Sequence, residues 1–187
     1  MRILGIDTGL ADTGYGIIDA EDDACRIVEA GVISTGADED LAVRLRRIHD
    51  ALCALLDEFA VDCVVVEDLY AEYPHPRTAI MMGHARGVII LAASQHAVKV
   101  ESYPASLVKK SLTGNGRASK EQVRRMVVQA LGLSQAPEPD HVSDALALAI
   151  CPTAPARGAD RRAKASRPRE LPRAVAEAVE RARGERR

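Results

Sequence analysis

A chain of 187 residues that is 47% hydrophobic carries enough apolar material for one compact domain with a tail, and at 3% aromatic its core must be aliphatic. No apolar run approaches the roughly 18 residues of a membrane span, no leader-like apolar region opens the chain, and the scattered Cys25, Cys53, Cys63 and Cys151 lack zinc-site spacing, so a reduced, cytoplasmic protein is expected. The net charge of −2 argues against a nucleic-acid partner until its distribution is read, because residues 152–187 hold 11 basic and 5 acidic side chains against 14 and 22 before them.

In chain order, residues 2–7, 14–20 and 25–34 alternate or run apolar between Gly/Asp-rich turns, which predicts a three-stranded antiparallel meander. Residues 39–59 carry Leu41, Leu45, Ile48, Leu52, Leu55 and Leu56 at helical spacing. The β-branched run VDCVVVED at 61–68 predicts a strand buried on both faces, as in a parallel pairing. Residues 76–97 predict a helix that is apolar nearly all round, with Gly83 and Gly87 allowing close packing, so it is either central or part of a subunit interface. A short strand at 98–103, a helix from Pro104 and the loop TGNGRAS at 113–119 follow; Ser119 and Gln122 form a capping box for a helix over 119–131. After the loop 134–140 comes a last helix at 141–150. From 152 the chain loses periodicity and predicts a flexible basic tail, giving two regions, 1–151 and 152–187. The order β-β-β-α-β-α-β-α-α-α predicts an α/β fold with helices on both faces of a mixed sheet.

Asp7 and Glu67 each end an apolar strand, and these two strands can lie side by side and parallel. Buried carboxylates are costly unless paired, hydrogen-bonded or metal-bound. The last helix adds His141 and Asp144, spaced i,i+3 on one face, so three carboxylates and an imidazole converge where divalent cations would offset their repulsion. Asp140, four residues before Asp144, could reach the same cluster or simply serve the helix N-terminus. Between 99 and 125 a stripe of Lys99, Lys109, Lys110, Arg117, Lys120, Arg124 and Arg125, against Glu101 and Glu121, suits a phosphate backbone.

The segments ILGIDTGLADTGYGII at 3–18, VVVEDLY at 64–70, MGHARGVIILAA at 82–93 and DHVSDALALAI at 140–150 resemble the RuvC family of Holliday-junction resolvases, the crossover junction endodeoxyribonucleases, in order over residues 2–150. The resemblance implies an RNase H-like fold with a five-stranded mixed sheet and a homodimer. It also implies two Mg²⁺ or Mn²⁺ ions per active site, paired symmetric nicks across four-way junction DNA in recombination and repair, and the RuvA–RuvB branch-migration complex as partner. It assigns Asp7, Glu67, His141 and Asp144 to catalysis and metal binding, the third of these being a position often occupied by Asp. Tyr70 matches a base-packing aromatic, and Lys109 and Lys120 match strand-gripping bases flanking a loop that also holds Lys110 and Arg117. Thr8 and His84 depart from the family's usual Pro and Gln. A GIDxG stretch also opens sugar kinases and related ATPases, but those need a duplicated domain and a far longer chain. A junction-binding module without catalysis is the remaining alternative.

Overall fold

The computed structural model describes residues 1–21, 24–69 and 76–153; Tyr70 and residues 154–187 of the expected tail lie outside them. Five strands, β1 (Arg2–Asp7), β2 (Asp12–Glu21), β3 (Ala24–Ser34), β4 (Cys63–Glu67) and β5 (Lys99–Tyr103), form one sheet in the order β3-β2-β1-β4-β5. β1–β2 and β2–β3 are antiparallel, as the turn-separated apolar segments predict, and β1–β4 and β4–β5 are parallel. Parallel neighbours require crossovers, supplied by α1 (Leu41–Glu58) before β4 and α2 (Pro76–Gln95) before β5. Three further helices follow: α3 (Ala105–Thr113), α4 (Lys120–Ala130) and α5 (Asp140–Ile150).

Strand periodicity sorts the core into two layers. Leu4, Ile6, Ile17, Val64 and Val66 pack with Ile48 and Leu52 of α1 and Ala85, Ile89 and Ala92 of α2. Ile3, Ile18, Cys63 and Val65 point the other way and pack with Val108, Val123, Val127 and the apolar face of α5. Every residue of β4 before Glu67 is buried, as its unbroken β-branched run requires. The helix starts follow local chemistry: Ser119 Oγ accepts from Gln122 N at 3.2 Å while Gln122 Oε1 accepts from Ser119 N at 2.8 Å, a complete capping box. Gly114 closes α3 in the left-handed region at φ 77°, which glycine adopts at little cost.

α5 lies unusually close to the sheet because the strands beneath it carry glycine. A Cβ at Gly5 would sit 2.6 Å from Ala149 N and would overlap Ala145 O; one at Gly14 would sit 2.5 Å from His141 C and would overlap His141 O. Gly14 pairs with Asp7 across the β1–β2 ladder, so the gap that admits α5 opens beside the acid. α2 behaves differently. Its Ala85, Ile89, Ala92 and Ala93 are buried, but Ile80 and Leu91 are 57% and 50% exposed, and no atom of a described residue lies within 4 Å of a Cβ built at Gly83 or Gly87. The two glycines therefore serve no packing among the described residues.

Candidate active site

Alternation along the strands decides where the acids point. Ile6 and Val66 are register partners facing α1 and α2, so the next residue of each strand, Asp7 and Glu67, faces α5. Both carboxyls are pushed above the ordinary carboxylate range, first by burial; Asp144 raises both, and Asp7 adds to the repulsion at Glu67. His141 lowers Asp7 through a hydrogen bond, with Nδ1 2.7 Å from Asp7 Oδ2, and Lys109 lowers Glu67 electrostatically. Glu67 has no side-chain hydrogen bond or ion pair with a described residue.

Asp144 is the one residue between Val142 and Ile150 on α5 that is not buried. Its Oδ2 lies 3.0 Å from Lys120 Nζ, and the same ammonium stands 3.6 Å from Asp140 Oδ2, so Lys120, expected only at DNA, also supplies positive charge to the acidic edge. Its own pKa is raised, chiefly by the bond to Asp144. Asp140 opens α5 and is held by Arg124 at 2.6 Å. The two neighbours raised by the sequence thus separate: His141 touches Asp7, whereas Asp140 is engaged by Arg124 and Lys120 on α4.

Among the described residues, no group of three or more His, Cys, Asp or Glu side chains already stands in metal-ligating geometry. The donor chemistry nevertheless fits a hard divalent cation: two half-buried carboxylates repelling each other and a third carboxylate balanced by a lysine are the charge imbalance that such an ion removes. Lys110, Arg117 and Lys120 are exposed, Lys109 is half-buried, and the first two have no ion pair with a described carboxylate. Tyr70 lies outside the described residues. His49 and His96 tie α1 to α2, through Gln95 at 2.7 Å and Asp57 at 3.2 Å, and stand apart from the acids.

Two contributors escaped the sequence reading. Gly14 is one, though an isolated glycine inside a strand pattern signals close backbone approach. Arg86 is the other: its Nε donates to the Glu67 carbonyl at 3.2 Å and one terminal nitrogen donates to Ser102 Oγ at 2.6 Å. A charged residue in the apolar stretch 81–93 was its signal.

A mixed β3-β2-β1-β4-β5 sheet with helices on both faces and acids at the adjacent ends of β1 and β4 defines an RNase H-like protein with a carboxylate site. The chain belongs to the RuvC family: the family model described as crossover junction endodeoxyribonuclease RuvC matches residues 3–152. A crossover junction endodeoxyribonuclease RuvC of Rhodopirellula baltica is 48% identical over 149 residues, covering 80% of this chain and 84% of the relative. Thermus thermophilus RuvC is 35% identical with a TM-score of 0.76, covering 81% of this chain and 92% of that one. The T. thermophilus RuvC solved in complex with Holliday junction substrate is 34% identical with a TM-score of 0.79, covering 82% and 93%.

Proposed function

We propose that this chain resolves four-way DNA junctions in recombination and repair, as a homodimer that makes paired symmetric nicks by metal-dependent phosphodiester hydrolysis. The observation that carries the reading is the convergence of Asp7 and Glu67 on the α5 face, both held above the ordinary carboxylate range first by burial, with Asp144 raising both and Asp7 raising Glu67. Two Mg²⁺ or Mn²⁺ ions held by Asp7, Glu67, His141 and Asp144 would supply an activated water and stabilise the leaving oxygen. Asp7, on the strand between β2 and β4, is the central ligand. His141 steadies it through the 2.7 Å bond. Lys120 holds Asp144 in a 3.0 Å ion pair until phosphate or cation competes for it. Lys109, Lys110, Arg117 and Lys120 present positive charge along the adjoining surface, which suits the strand entering the site, and Tyr70 is the aromatic proposed to pack against bases at the crossover.

The exposed stripe of α2, Ile80, Gly83, His84, Gly87 and Leu91, recurs at helical spacing and is the proposed dimer surface. A RuvA–RuvB-type branch-migration partner and a cytoplasmic location complete the reading; no described helix is long and apolar enough to cross a membrane.

The test is a labelled synthetic four-way junction with Mg²⁺, with Mn²⁺ and with neither. Symmetric nicks with either metal support the reading; binding without cutting supports a junction-binding module, and ATP hydrolysis an actin-like ATPase. Asp7→Asn and Glu67→Gln should each cut at least about 10²-fold more slowly while junction affinity holds or rises, because negative charge near phosphate has been removed. Near-wild-type cutting by either variant would overturn the site. Asp140→Asn should keep cutting where His141→Ala loses it; the reverse would move the ligand to Asp140.

A further inference from the structure

We propose that Arg86 is a positioning residue for the reaction, holding the end of β4 from beneath so that the Glu67 carboxylate stays aimed at the α5 face. The inference rests on Glu67 being a site carboxylate, as proposed above. Glu67 is the last residue of β4, and its carboxylate has no hydrogen bond to a described side chain that would fix its direction. Its direction must come from its backbone. That backbone is held at one point by the ladder, where Asp68 N donates to Tyr103 O at 3.0 Å, and at another by Arg86.

Arg86 reaches β4 from the opposite side of the sheet. It belongs to α2, whose Ala85 and Ile89 pack with Val64 and Val66, and Ser102 is the register partner of Val66 on β5. Nε donates to the Glu67 carbonyl at 3.2 Å, and one terminal nitrogen donates to Ser102 Oγ at 2.6 Å and stands 3.5 Å from Asp68 Oδ1. One rigid fork thereby joins α2, the last peptide of β4 and the adjacent strand. The guanidinium side chain is only 21% exposed, which favours a fixed geometry over a solvated one. Arg86 donates to the main-chain carbonyl of Glu67 and not to its carboxylate, so its action is orientation of the peptide. A lysine carries the charge but not the planar two-nitrogen fork, and cannot bridge the carbonyl and the hydroxyl in the same way.

The experiment compares wild type, Arg86→Lys, Arg86→Ala, Ser102→Ala and Glu67→Gln as full chains. It measures single-turnover cleavage at saturating junction, junction affinity without metal, calorimetric Mn²⁺ binding without DNA, thermal midpoint, and amide exchange at Asp68. Arg86→Lys should fold, bind junction as wild type does, and cut about 10- to 100-fold more slowly, the scale of a misplacement near 1 Å. It should also bind Mn²⁺ more weakly and exchange the Asp68 amide faster than the remaining β4 amides. Ser102→Ala should move the same readouts in the same direction by less. If Arg86→Ala does not fold, Arg86→Lys and Ser102→Ala still decide. Arg86→Lys cutting at the wild-type rate with unchanged Mn²⁺ binding would overturn the proposal, as would a fall in cutting matched only by a uniform rise in exchange across the sheet. Wild-type cutting by Glu67→Gln would instead overturn the site beneath it.

Discussion

Glu67 shows how a residue can be placed against its own folding preference. Burial first, then Asp7 and Asp144, hold its carboxyl above the ordinary range, and Lys109 only partly offsets them. The folded state therefore binds its proton more tightly than the unfolded chain does. Stability from this group is highest below the unfolded value near 4.3 and falls as pH rises from there through the raised folded value. In metal-free protein at pH 7, Glu67→Gln should raise the thermal midpoint, by about 2–4 °C for each kcal/mol of repulsion relieved, while removing cleavage. The gain over wild type should vanish near pH 4, where both side chains are neutral. Thermal melts of the two proteins from pH 4 to 8 in chelator check this; a variant less stable than wild type at pH 7 would show that Glu67 is stabilised by its surroundings. The acids themselves were legible because Asp and Glu at the ends of apolar strands are chemically conspicuous. The lysine across from Asp144 was legible only as a charge, since nothing in spacing tells which carboxylate a flexible ammonium will meet.

At the scale of elements, the site depends on how low α5 sits. The sequence shows the strands through their alternation, the antiparallel meander through its Gly/Asp-rich turns and the parallel pairing through the unbroken β-branched run of β4. The height of a helix over a sheet leaves no periodic trace; here it is written in Gly5 and Gly14, two glycines inside strands on which the backbone of α5 rests. Gly14 pairs with Asp7 while the His141 backbone rests over it, so one missing side chain permits the 2.7 Å contact between Asp7 and His141. Gly14→Ala must shift backbone, not a flexible side-chain end. It should destabilise by about 1–3 kcal/mol, the range of overpacked cores, and lift His141 away from Asp7. The expected result is a thermal midpoint several degrees lower together with cleavage reduced beyond what the unfolded fraction explains. Wild-type cleavage per folded molecule would mean that the site tolerates a higher α5. Lys109 and Lys110 on α3 and Lys120 on α4 flank the same edge, and the 3.0 Å contact of Lys120 with Asp144 couples the basic side of the site to the acidic one.

For the whole molecule the governing property is symmetry. A four-way junction offers two equivalent strands, and a two-fold assembly presents one acidic edge to each. Within one chain α2 spends one face on the core and leaves Ile80 and Leu91 at 57% and 50% exposure, with Gly83 and Gly87 bare between them. Glycines that serve no internal packing let a second helix approach closely, and two large aliphatic residues at the ends of the stripe give that approach its apolar contact. The same helix carries Arg86 on its flank toward β4, so the proposed dimer contact and the proposed support of Glu67 share one rigid element. Charge placed on the stripe should then separate binding from coordinated cutting. The pair Ile80→Glu and Leu91→Glu should give a monomer by sedimentation at micromolar concentration without lowering the thermal midpoint, since both side chains are already half in solvent. On a supercoiled plasmid bearing an extruded cruciform, the wild-type dimer should release linear product from two nicks in one encounter, whereas the monomeric variant should accumulate nicked circles. A variant that remains dimeric would place the interface elsewhere on the chain. A proven monomer that still linearises the plasmid as efficiently as wild type would remove symmetry from the mechanism altogether.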